Sequence, residues 1–285
     1  MEYIVKQLIK AFIQEAKQNP AKPLQYFMLV SLFGLAFLLP AYGIRRQAQE
    51  TAAIAGQERM QEEVEAGKEN PEEPRQQSGT VQEEERGDGA QNLKGTIVLD
   101  AGHGGFDGGM VGSSGISEKE LNLVYARKLE ALLTEAGYRV VQTRETEDGL
   151  YDPDQDNKKA QDMQRRCAII AQEQPLVTIS IHQNSYPGDA SVCGPQVFYF
   201  EQSQEGERLA AAIQKHMNAM PDVMKQRVQK GNSTYYILKR SASTTVIVEC
   251  GFLTNAREEA LLQTEGYQDQ VVKAICDGIV EYLEG

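Results

Sequence analysis

Three histidines occur in the 285 residues, so the setting of each can be read individually. His103 lies in Leu99-Asp-Ala-Gly-His-Gly-Gly-Phe-Asp107, directly after an apolar, β-branched run. Glycines on both sides let the backbone turn sharply and approach a ligand closely. His182 lies in Ser180-Ile-His-Gln-Asn184, immediately after a second such run. Alternation along a strand puts Ser180 and His182 on one face, with His182 at the strand's end. Glu118, in Gly115-Ile-Ser-Glu-Lys-Glu-Leu-Asn122, falls in the first turn of a predicted helix. The helix dipole alone would stabilise a carboxylate there, but Glu118 is also placed to reach the same sheet edge. Two imidazoles and one carboxylate form a His₂Glu zinc set that leaves a fourth position for water. Glu249 follows the apolar run Val246-Ile-Val248. A carboxylate at the mouth of such a strand is costly to desolvate without a task or a partner. It is the candidate general base.

Other residues exclude other chemistries. His216 sits at helical spacing with Ile213, Met217 and Met220 and reads as a surface or half-buried side chain. Gly102, Gly104, Gly105, Gly108 and Gly109 do not fit a dinucleotide- or phosphate-binding loop, and no Lys-Ser/Thr pair follows them. Cys167, Cys193, Cys250 and Cys276 form no close pair, so a thiolate zinc site is not expected. They read as small buried apolar groups. The formal net charge is −12, which provides no electrostatic basis for binding nucleic acid. Two thirds of that charge sits between Glu50 and Asn92, where twelve acidic residues face four basic ones.

These side chains need a scaffold, and the hydrophobic pattern supplies one. Strands are predicted at 95–100, 139–143, 176–181, 194–200 and 244–248. Helices are predicted at 117–136, 158–172, 205–220 and 266–283. Ser117 with Glu120 three residues on forms a capping box, and Gly137 fits the position after the helix. Tyr235-Tyr236 reads as strand or groove wall. Strands alternating with helices imply an α/β domain with a single, mostly parallel central sheet flanked by helices on both faces. Catalytic groups should gather beyond the carboxyl ends of its strands.

Upstream the pattern differs. Residues 1–22 carry four lysines and read as a cytoplasmic amphipathic segment. The uncharged run 23–44 is long enough to cross a bilayer, which takes about 20 residues. It is expected to be a transmembrane anchor. The rival is a cleaved signal peptide, for which Ala41-Tyr42-Gly43 offers a site. The basic residues favour an outward-facing remainder. Residues 45–93 are too polar to form a core and read as a disordered acidic linker. The catalytic domain is expected at 94–285.

Taken in order, Asp100-Ala-Gly-His-Gly-Gly105, Gly115-x-x-Glu118-Lys119-x-x-Asn122, Ser180-Ile-His-x-Asn184 and Val248-Glu-Cys-Gly-Phe-Leu-Thr-Asn255 resemble the motifs of the zinc-dependent N-acetylmuramoyl-L-alanine amidases. The resemblance runs from about Lys94 to Leu283. It implies a central sheet with helices on both faces. It also implies one zinc ion per chain held by His103, Glu118 and His182, with Glu249 as the catalytic carboxylate. The substrate would be peptidoglycan, cut between the lactyl group of N-acetylmuramic acid and L-alanine, and an activator protein could be required. Gln183 and Ser185 replace small residues usual in the family, Lys239 an Arg and Thr244 a Pro. The Thr143-Arg-Glu stretch and the helix bearing Arg165 and Arg166 resemble the spore-cortex members. Two rival readings are a zinc peptidase acting on the peptide stem and a catalytically silent wall-binding protein. Muropeptide mass analysis separates the first, and metal content with a hydrolysis assay the second.

Overall fold

The β-branched, apolar stretch after Gly95 forms β1 (Thr96–Ala101), whose last five residues are all buried. Residues 93–154 and 156–285 are described by a computed structural model. The expected cytoplasmic segment at 1–22, the anchor at 23–44 and, but for Leu93, the acidic linker at 45–93 lie outside the described residues. Among the described residues no helix is long and apolar enough to cross a membrane.

The remaining elements are α1 (Glu118–Glu135), β2 (Arg139–Gln142), α2 (Lys158–Glu173), β3 (Val177–Asn184), β4 (Gln196–Phe200), α3 (Gln204–Asn218), β5 (Lys230–Asn232), α4 (Tyr236–Arg240), β6 (Thr245–Phe252), α5 (Ala256–Leu262) and α6 (Glu265–Glu284). The start of α1 follows its sequence signal: the Glu120 carboxylate accepts the Ser117 N–H at 3.2 Å. Gly137 turns the chain out of the helix at φ +92°, a conformation that carries no steric penalty only for glycine.

The six strands lie in the order β2-β1-β3-β6-β4-β5. The first four are parallel. β4 runs antiparallel to β6, and β5 runs parallel to β4. The sheet is thus mostly parallel, as expected, with one antiparallel pair, β4 with β6. The physical reason lies in the β3–β4 connection. It holds no helix, and a parallel return needs a long crossover, usually helical.

One face of the sheet presents Leu99, Ile181 and Val248 to α1, α3 and α6, forming the larger core. The other presents Val98, Phe198 and Ile247 to Ile170 of α2 and to Ile237 and Leu238 of α4. Burying each such side chain contributes about 1.5–3 kcal/mol. Leu99, Ile179, Ile181 and Val246 are fully buried.

Three elements were not legible in the sequence: β5, α4 and α5. Tyr235 and Tyr236 belong to no strand; they begin α4. β3 and β6 also run further than their apolar runs suggest, to Asn184 and Phe252. The extra residues bring β1, β3 and β6 to a common carboxyl edge, where β4 and β5 begin.

Candidate metal centre

His103 sits just beyond β1 in the left-handed region, at φ 62°. A non-glycine residue holds that conformation at a cost of order 1 kcal/mol or more and only when its surroundings impose it. Arginines impose it here. Arg166 of α2 donates to the His103 carbonyl at 2.6 Å and to the Ala101 carbonyl at 2.8 Å. Arg144 donates to the Ala101 carbonyl at 2.8 Å and to the Gly102 carbonyl at 2.9 Å. The turn is thus gripped through its backbone.

Gly102 and Gly109 clear space for the side chains. A Cβ on Gly102 would collide with the His182 ring. One on Gly109 would lie 2.5 Å from Glu118 Oε2 and 2.7 Å from His103 Cδ2. The second position is also left-handed, at φ +65°.

Glu118 is the first residue of α1 and lies in the middle of the cluster. Its Oε1 is 3.1 Å from His103 Nε2 and 3.0 Å from His182 Nδ1. The two imidazole centroids are 5.0 Å apart and nearly perpendicular. One ligand atom from each of the three residues lies within 4.8 Å of the other two. Glu118 is fixed by backbone N–H groups: Met110 donates to Oε2 at 2.9 Å and Gln183 to Oε1 at 3.1 Å. His103 Nδ1 faces Asp107 Oδ1 at 3.0 Å. A carboxylate behind a ligating imidazole orients the ring and raises its basicity.

The electrostatics suit a cation. Burial opposes charge on His103, but Asp107 and Glu118 outweigh it and push the imidazole up to about 10. Burial also opposes charge on Glu118, yet its contacts with both histidines hold its carboxyl well below the usual range. The donor set of two imidazoles and one carboxylate matches that of hydrolytic zinc sites.

Glu249 lies next to His182 in the parallel register of β3 and β6. Its side chain is 8% exposed, and its Oε2 has no hydrogen-bond partner among the described residues. Burial, and then the negative charge of Glu118, raise its carboxyl well above the usual value.

Beneath the cluster lies a buried ionic network whose function the sequence did not reveal. Asp100 accepts from Arg166 at 2.6 Å, Thr143 at 2.7 Å and Ser180 at 2.6 Å. Arg166 is 1% exposed and also donates to Asp162 at 2.6 Å. Asp100 and Arg166 are 66 positions apart, and no spacing signal links them. His216 stands apart from the centre and pairs with Glu281 at 2.7 Å. All four cysteines are free thiols, two of them buried.

Residues 97–281 match the N-acetylmuramoyl-L-alanine amidase family. A germination-specific N-acetylmuramoyl-L-alanine amidase of Bacillus subtilis is 32% identical over 195 residues, spanning 67% of this chain and 81% of that protein. Among solved structures, the CwlD amidase of Clostridioides difficile, in complex with the GerS lipoprotein, is similar with a TM-score of 0.64 and 34% identity. That match covers 67% of this chain and 99% of that one. The amidase AmiC2 of Nostoc punctiforme has a TM-score of 0.59 at 28% identity, covering 69% of this chain and all of its own.

Proposed function

We infer, because the chain belongs to the N-acetylmuramoyl-L-alanine amidase family, that His103, Glu118 and His182 hold one zinc ion and that Glu249 is the catalytic carboxylate. The activity is hydrolysis of peptidoglycan at the amide between the lactyl group of N-acetylmuramic acid and L-alanine. One observation carries the assignment of residues: donors from three separate elements converge within 4.8 Å.

Zinc at such a site lowers the pKa of water to about 7 and polarises an amide carbonyl. The chain's own residues do the rest. Asp107 and the Gly102–Gly109 turn hold the His103 ring in place. Two backbone N–H groups keep Glu118 from rotating. Glu249 accepts the proton of the attacking water and delivers it to the departing alanine nitrogen. Its place beside His182 in the register of β3 and β6 supports both transfers.

The rest of the reading concerns context. Residues 1–22 would lie in the cytoplasm, 23–44 would anchor the chain, 45–93 would span the gap, and the domain at 94–285 would work on the wall side of the membrane. The germination-specific relative supports a role in spore-cortex remodelling. The CwlD neighbour is in complex with a lipoprotein, which supports a protein partner for this chain as well.

Metal analysis of the full chain combined with mass spectrometry of digested muropeptides tests this reading. We expect one zinc per chain, free lactyl groups and stems with new alanine amino termini. Products that keep L-alanine on the lactyl group would point to a peptidase instead.

A further inference from the structure

At the common edge the sheet sets out groups in a fixed order. The His103 turn belongs to β1, His182 to β3 and Glu249 to β6. Gln196, at the start of β4, is the antiparallel partner of Glu249. Beyond Gln196 lies an open depression of about 500 Å³, lined among others by Asn218, Lys225, Arg227 and Lys230. It is lined by three cations and no acid, in a chain whose formal charge is −12.

The wall is built in part by hydrogen bonds. The Gln196 amide donates to the Val228 carbonyl. Asn218 donates to the Arg227 carbonyl at 2.7 Å and accepts the Arg227 N–H at 3.1 Å. The Arg227 guanidinium sits 5.0 Å from the Phe252 ring centre and donates to the Cys193 carbonyl at 2.9 Å. Lys225 and Lys230 remain exposed, and neither has an ion-pair partner among the described residues. Lys230 shares a face with Phe198, its ammonium 5.9 Å from that ring centre.

The direction of the reaction says what this depression should meet. Glu249 hands its proton to the leaving amine, so the peptide half of the substrate departs on the Glu249 side of the metal centre. On that side lie β4 and β5. We propose that the depression between the start of β4 and residues 225–230 is the subsite for the peptide stem, and that Lys225 and Lys230 recognise a free carboxylate on it. The idea rests on the amidase reading above. Lys230 stands two strands and two residues of register from Glu249, roughly 12 Å at about 4.8 Å per strand and about 3.3 Å per residue, a gap its long side chain shortens. An extended peptide advances about 3.3–3.6 Å per residue. The carboxylate engaged would therefore belong to the second or third residue of the stem. Amide side chains around the lysines suit a peptide backbone, and the ammonium groups suit a carboxylate.

The test uses the full zinc-loaded chain and two synthetic N-acetylmuramoyl peptides, one with free carboxylates at the second and third residues and one with carboxamides at both. Lys225→Gln/Lys230→Gln is compared with the parent. We expect the parent to show a KM roughly tenfold lower for the carboxylate substrate, the scale of one charge-assisted contact. The double variant should lose that preference while kcat stays within about twofold and zinc content stays unchanged. Equal KM values in the parent, or the same KM rise on both substrates in the variant, would overturn the proposal. Calorimetric titration of the free acidic stem peptide against its carboxamide reads the subsite without hydrolysis. Tighter binding of the acid by the parent alone supports the subsite even if neither substrate is cut, a result that would sink only the amidase reading. Equal binding of the two peptides refutes the subsite.

Discussion

Arg166 reaches from α2 beneath the sheet edge and donates to the backbone carbonyl of His103 at 2.6 Å. The same guanidinium pairs with Asp100 at 2.6 Å. A single buried cation therefore joins the end of β1 to the turn that presents an imidazole to the candidate metal centre.

Removing that cation should be severe. Arg166→Met leaves the Asp100 carboxylate buried without its ionic partner, and such a loss costs about 3–5 kcal/mol. Urea unfolding is the measurement. Adding Asp100→Asn to Arg166→Met should recover part of the loss, because the stranded charge is gone. An Arg166→Met midpoint within about 0.5 kcal/mol of wild type would show that the network is dispensable.

Asp100 also determines an acid limb of stability. Burial tends to raise its carboxyl, but Arg166 and the two hydroxyls outweigh burial and bring it down to about 2. The unfolded chain titrates near 3.9. A depressed carboxyl contributes stability that is complete above the unfolded value and disappears as pH falls through the folded one. Between about pH 4 and pH 2 the chain should thus lose on the order of 2 kcal/mol from this group. Urea midpoints measured in chelator, so that metal loss does not contribute, should fall across that window. The fall should be shallower in Asp100→Asn.

Glu249→Gln should fold normally and keep its zinc, since Glu249 is outside the three-residue ligand set. Turnover on muropeptide substrate should drop at least about 10²-fold, the usual scale for general acid–base catalysis. Near-normal turnover by this variant would remove Glu249 from the mechanism.

His182→Ala takes away one of three protein donors. Its zinc content after dialysis should be well below one per chain, and added zinc should restore little activity. In wild type, by contrast, chelation should abolish hydrolysis and zinc should return it. Full retention of metal by His182→Ala would refute its role as a ligand.

Most of the sheet was legible from local pattern. β1 is a continuous apolar run, and α1 begins at a capping signal and ends at a glycine, so each states its own boundaries, whereas β6 is legible only as far as Val248. β5 escaped because three residues, Lys230-Gly-Asn232, carry no apolar period. α4 and α5 escaped because helices of five and seven residues are too short to show one.

The sequence alone singled out the candidate metal-centre donors: two histidines at strand ends and a glutamate at a helix start are local facts, and the motifs around them are specific. The spacing of those donors was decided only by the tertiary structure. It depends on the register of β1, β3 and β6 and on Arg166 pulling the His103 turn into a left-handed conformation. The reversed β4 and the cation-lined depression beside it belong to the same class. Such features arise from contacts between residues tens of positions apart, and hydrophobic periodicity carries no record of them.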